Sequence, residues 1–155
     1  MRALPALALN QLAPGPGYVA SLALRGAGEL LYESASNGVW QLKGGTAELW
    51  NVVPEDPLAR KPALVRLGDG NTWTASDGSA ITGEVQKTIP SPDPTAASWT
   101  LYRISSHSGT GLLSNVDYVQ CVFTEKGLPL TKPSGGLGEI QRVPYQANYV
   151  FYSRQ

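Results

Sequence analysis

The chain has one cysteine and one histidine in 155 residues, and little charge: 12 Lys+Arg against 12 Asp+Glu, a formal net charge of +0. A lone Cys121 cannot close an internal disulfide. One His beside one Cys excludes the usual zinc-ligand clusters, so no metal is expected. Zero net charge and low charge density argue against nucleic acid or an anionic membrane as partner, since both need a concentrated basic surface. No apolar run approaches the roughly 20 residues that a bilayer-spanning helix needs. No sustained helical period appears, and no Gly-rich strand-to-helix turn of the dinucleotide-binding kind. No cofactor is therefore expected.

What the chain does contain is apolar and aromatic. It is 42% hydrophobic with 4 Trp and 7 Tyr, enough to bury a core as one domain. Its 17 Gly and 12 Pro are spread along the sequence, at intervals typical of strands joined by turns. Strands are expected over 18–24, 29–34, 39–42, 47–52, 63–67, 72–75, 80–87, 99–105, 116–124 and 145–152. Asn37-Gly38, Gly44-Gly45 and Asp77-Gly78 tolerate positive φ and suit tight hairpins. Pro90-Ser91-Pro92-Asp93-Pro94 cannot join a ladder and must cross the surface, and 128–143 reads as a second long loop. About ten short strands without helix define an all-β chain, either an antiparallel barrel or a strongly curved sandwich.

Residues 1–17 read as an N-terminal arm and 18–155 as a single all-β domain. The first ten residues faintly resemble a secretory leader, with Arg2 ahead of a short apolar stretch. Pro5 interrupts that stretch and Asn10 stops it, which favours an arm. An arm and an unpaired Cys121 fit a reducing, cytoplasmic compartment, with secretion the alternative. Low net charge leaves self-association into a homodimer open.

Side-chain alternation points to a hollow interior. Tyr145, Ala147, Tyr149 and Phe151 share one strand face; Asp117, Val119, Cys121 and Phe123 share another. Trp99, Leu101, Arg103 and Ser105 alternate with Thr100, Tyr102 and Ile104. Neither face of these strands is plainly solvent-like, whereas a simple sandwich divides apolar from polar more cleanly. One side is expected to meet a packed layer and the other to line a partly polar, aromatic cavity. Polar members satisfied by neighbouring loops would give the same pattern.

Three stretches go beyond generic β patterning: Gly70-Asn71-Thr72-Trp73-Thr74-Ala75-Ser76-Asp77-Gly78-Ser79 with its continuation to Val85, Ser105-Ser106-His107-Ser108-Gly109-Thr110-Gly111-Leu112-Leu113-Ser114, and Val143-Pro144-Tyr145-Gln146-Ala147-Asn148-Tyr149-Val150-Phe151-Tyr152. With Leu30-Leu31-Tyr32 and Trp40-Gln41-Leu42-Lys43-Gly44 upstream, the chain resembles a family of small, mostly secreted fungal, plant and bacterial proteins of unknown function. Fungal members often carry the label "malate dehydrogenase-like". The resemblance spans roughly 26–152 and brings no established catalytic residues. The dehydrogenase label finds no support in a chain without a dinucleotide-binding turn. Members usually have Cys where Ser34 stands, a second Cys in the loop before Val143, Arg at the place of Cys121, and His at the place of Leu67. The resemblance thus implies a disulfide that this chain has lost along with the leader. That loss is expected of a secreted scaffold moved inside the cell and given a new task, the handling of a small apolar metabolite in biosynthesis.

The catalytic candidates are His107, Asp117, Glu84 and Arg103. His107, the one histidine, is a candidate general acid or base in a glycine-rich loop, though a ring bonded to loop backbone would place it there too. Asp117, on an apolar face, is a candidate for proton work or for a loop hydrogen bond. Glu84 is a candidate acid or base, or a cross-strand partner of Arg103. Asp77 is expected to cap its own turn. Trp73, Trp99, Tyr102, Tyr118 and Tyr149 are the candidate ligand-binding residues, large rings that otherwise fill a core. Cys121 has nothing basic beside it and reads as a small buried hydrophobe. Two functions are expected from this set. One is a cofactor-independent enzyme that folds an apolar intermediate for cyclisation or isomerisation, by orientation and hydrogen-bond donors alone. The other is a non-catalytic module binding carbohydrate or a lipophilic ligand.

Overall fold

The computed structural model describes residues 9–36, 38–51, 63–129, 131–133 and 138–155. Eight antiparallel strands follow in chain order: β1 (Tyr18–Ser34), β2 (Trp40–Trp50), β3 (Val65–Gly68), β4 (Thr72–Ala75), β5 (Ala80–Ile89), β6 (Trp99–Ser108), β7 (Val116–Lys126) and β8 (Ile140–Arg154). Each pairs with the next and β8 pairs back onto β1, closing the sheet into a barrel without a free edge. The all-β expectation holds. The rim where β1 ends and β2 begins is called upper, the opposite one lower.

Ten expected segments become eight strands because glycines expected at breaks lie inside ladders. Gly26 and Gly28 join 18–24 to 29–34 in β1, and Gly44 and Gly45 lie within β2 rather than at a hairpin. Close approach explains Gly26, Gly28 and Gly45, while Gly44 takes φ +150° with open space where a Cβ would be. A Cβ on Gly28 would sit 1.8 Å from the Thr46 carbonyl oxygen, and one on Gly26 would press on the Tyr149 ring at 3.0 Å. Gly26 is therefore what gives the Tyr149 ring its space. Asn37 lies outside the described residues, as do Val52 in an expected strand and part of the expected loop 128–143; Ile140–Val143 of that loop belong to β8.

The interior is largely filled. Leu49, Val65, Trp73, Ile81, Leu113, Val119 and Phe151 have at most 1% exposure and occupy the middle and lower barrel. A second cluster lies outside the ring. There Leu12, from a helical turn at the N-terminus, covers Trp99, Leu101, Val122 and Ile89. Gln120 is buried in this outer layer and satisfied, donating to the Leu12 carbonyl (2.9 Å) and accepting from the Tyr152 hydroxyl (3.1 Å).

Two of the sequence motifs meet at the lower rim. Asp77 Oδ1 accepts from the Ser79 amide (3.0 Å) and hydroxyl (2.7 Å), and its Oδ2 accepts from the Leu112 amide (2.7 Å). The Ser79 hydroxyl in turn accepts from the Leu113 amide at 3.1 Å. These bonds, the Ser79 hydroxyl first, hold the Asp77 carboxyl below its usual range. A Cβ on Gly111 would lie 2.2 Å from Asp77 Oδ2, so the loop can close on the carboxylate only with glycine there. Asp77 caps its turn as expected, and also ties the β4–β5 turn to the β6–β7 loop.

Candidate functional site

Irregularities in β7 decide what faces inward. Strict alternation from Val119 and Cys121 would send the Phe123 ring into the barrel. A register shift between Val122 and Glu125 intervenes, with Phe123 (φ 50°) and Lys126 (φ 61°) in the left-handed region. The shift turns Phe123 outward, 40% exposed and against Trp99 at 5.0 Å between centroids, and brings the small, buried Thr124 inward. A second shift, between Val116 and Tyr118, takes Asp117 off the core face while Val116 stays in it. The expected shared face of Asp117, Val119, Cys121 and Phe123 is thus reduced to its two middle members.

With Phe123 turned away, a cavity of about 40 Å³ remains below the upper rim. Thr100, Cys121 and Tyr149 form one row of its wall, because Thr100 pairs with Cys121 and Cys121 with Tyr149. Tyr145 stands two levels higher on the same face of β8, beyond Ala147, and Tyr102 closes the side along β6. Leu30, Leu42 and the bare backbone of Gly44 and Gly45 complete the mouth. Its frame is tied by the Tyr32 hydroxyl donating to the Gly127 carbonyl (2.7 Å) and the Thr124 hydroxyl donating to the Ala97 carbonyl (2.5 Å).

The chemistry of this wall is neutral. The Tyr145 and Tyr149 hydroxyls are 2.5 Å apart, and the Tyr149 hydroxyl also meets the Cys121 thiol. Burial pushes the ionisation of Tyr102, Tyr145 and Tyr149 well above the ordinary phenol range, and pushes the thiol up to about 11. All four groups keep their protons at neutral pH. Among the described residues, no Lys, Arg, Asp, Glu or His lines the cavity. Such a wall can donate to and accept from an uncharged oxygen, but has nothing with which to pair an ion.

The residues singled out in the sequence fall into four places. Tyr102 and Tyr149 line the cavity, and Trp73 lies fully buried beneath it, edge-on to Tyr102 at 5.0 Å. Trp99 is on the outer face under the N-terminal turn, not in the interior. His107 and Asp117 come together at the lower rim, the far end from the cavity: the His107 Nε2–H donates to the Val116 carbonyl at 2.6 Å and stands 3.7 Å from Asp117 Oδ1. The β6–β7 ladder runs only from Thr100 to Arg103, so this ring bond ties the two strands beyond the last ladder pair. Glu84 and Arg103 face each other across β5 and β6 on the outer surface beside Tyr118. Tyr145, Thr100 and Thr124 were not singled out as site residues. The signal for Tyr145 was present in its spacing, four residues before Tyr149 on one strand face; no sequence rule announced the β7 shift that brings in Thr124.

The fold and site define a closed eight-stranded antiparallel barrel with a small, uncharged, hydroxyl-lined recess at one end. The chain belongs to the family described as "Protein of unknown function (DUF3455)", whose model matches residues 14–153. No curated protein and no solved structure matches it.

Proposed function

We propose that the protein is a binding module for a small apolar molecule with an uncharged oxygen, a carbonyl or hydroxyl, which enters the recess while the apolar body rests on Leu30 and Leu42 at the mouth. The observation that carries this reading is the set of three protonated phenols around a cavity with no ionised group among its described lining residues. Its size argues against enclosing a whole metabolite, since drug-sized pockets run to roughly 300–1,000 Å³. The Tyr145–Tyr149 pair favours a second reading, a cofactor-independent isomerase or cyclase in which the phenols polarise a carbonyl. Binding is preferred because His107 and Asp117 stand at the opposite rim and no group in the recess exchanges a proton near neutral pH.

NMR titration with cyclohexanone, cyclohexanol, cyclohexanecarboxylate and cyclohexylamine tests the reading. The two neutral compounds are expected to shift signals of Tyr145, Tyr149 and Thr124 saturably, and Tyr149→Phe to weaken them about tenfold, the scale of one buried hydrogen bond. Binding of the ions as tightly as the neutral compounds, or of none of the four, would overturn it.

A further inference from the structure

Outside the barrel, β5, β6 and β7 form a shallow groove of about 390 Å³, lined by Glu84, Val85, Gln86, Arg103 and Tyr118. Its shape comes from strand irregularity: a register shift between Val85 and Lys87 leaves Gln86 without a cross-strand partner and Val85 56% exposed. The floor is aromatic and held in place. Tyr18 meets the Tyr118 ring edge-on at 4.9 Å, and Arg154 braces Tyr18 by donating to its hydroxyl (3.3 Å) and lying 5.7 Å from its ring centre. Around this floor stand a carboxylate, a carboxamide and a guanidinium. All three are planar groups that bond in pairs. Glu84 and Arg103 are register partners, yet neither their side chains nor that of Gln86 has a hydrogen bond or ion pair with another described residue.

We propose that this groove is a second binding site, independent of the recess, for the pyranose ring of a neutral saccharide. A pyranose offers a face of C–H groups that packs on an aromatic ring, and an edge of adjacent hydroxyls that paired planar donors and acceptors satisfy. One carboxylate and one guanidinium cancel in charge, so the site has no preference for an anionic or cationic sugar. The open shape fits one residue of a longer chain running across the sheet, and affinity in the millimolar range.

The test is NMR titration of the full chain with cellotriose, xylotriose, maltotriose and chitotriose. Saturable shifts at Glu84, Val85, Gln86, Arg103 and Tyr118 with at least one of them are expected. Arg103→Ala, on an exposed side chain that the fold does not use, is expected to weaken that binding about tenfold, and Glu84→Gln to weaken it less. No saturable shift in the groove with any of the four, shifts confined to the recess, or affinity unchanged in Arg103→Ala would overturn the proposal.

Discussion

Raising the pH above about 9 is expected to unfold the barrel along a steep course set by groups in the recess. The sign follows from where the protons sit. Tyr145 and Tyr149 have folded-state values raised above the ordinary 10.0, by burial first, and Cys121 is raised from 9.0 to about 11. Below pH 9 both folded and unfolded chains hold these protons, and stability is at its full value. From pH 9 the unfolded chain releases the thiol proton, and from pH 10 the phenol protons, while the folded chain keeps them. Each group then removes about 1.4 kcal/mol of stability per pH unit until its folded value is reached. Two buried phenols alone make that about 2.7 kcal/mol per unit, a large part of the roughly 5–15 kcal/mol that holds a domain together. Denaturant unfolding at stepped pH checks this. The wild type is expected to lose stability steeply above pH 10 and the Tyr145→Phe/Tyr149→Phe double variant much less. Parallel pH profiles would show that the phenols are not held neutral.

Trp73→Ala is expected to destabilise the barrel by about 3–5 kcal/mol, the range for deleting a large buried ring. Trp73 is fully buried, packs on Tyr102, and its Cζ3 stands 3.2 Å from where a Cβ on Gly83 would be. The indole Nε1 has no hydrogen-bond partner among the described residues. Trp73→Phe, which removes that orphaned donor and keeps a ring, should therefore cost roughly half as much or less. Chemical denaturation of the two variants separates packing from hydrogen bonding. Equal losses would mean that the N–H carries energy the geometry does not show.

The all-β architecture was legible because strand periodicity and turn chemistry are local. Asp77-Gly78 makes the hairpin that its residues predict, with Gly78 at φ +93°. Gly26, Gly28, Gly44 and Gly45 misled because glycine serves two purposes, turning a chain and letting strands or rings approach closely. Only the neighbours in space, Tyr149, Thr46 and Leu30, account for Gly26, Gly28 and Gly45; Gly44 has none and keeps a positive φ inside β2. The recess was half legible. The shared face of Tyr145 and Tyr149 follows from a period of two, and Tyr102 from the alternation of β6. The β7 shift at Phe123 does not, since it puts non-glycine residues at positive φ and reverses the strand's alternation. His107 and Asp117 were paired by neither spacing nor motif. They meet because β6 outruns its ladder with β7 and the β6–β7 loop brings the chain back beside it.

The recess itself is best judged by a crystal grown and soaked with cyclohexanone. The account requires the ketone oxygen within hydrogen-bonding distance of the Tyr145 or Tyr149 hydroxyl, with the ring carbons against Leu30 and Leu42. A recess without ketone at saturating concentration, or ketone bound only elsewhere on the protein, would contradict it.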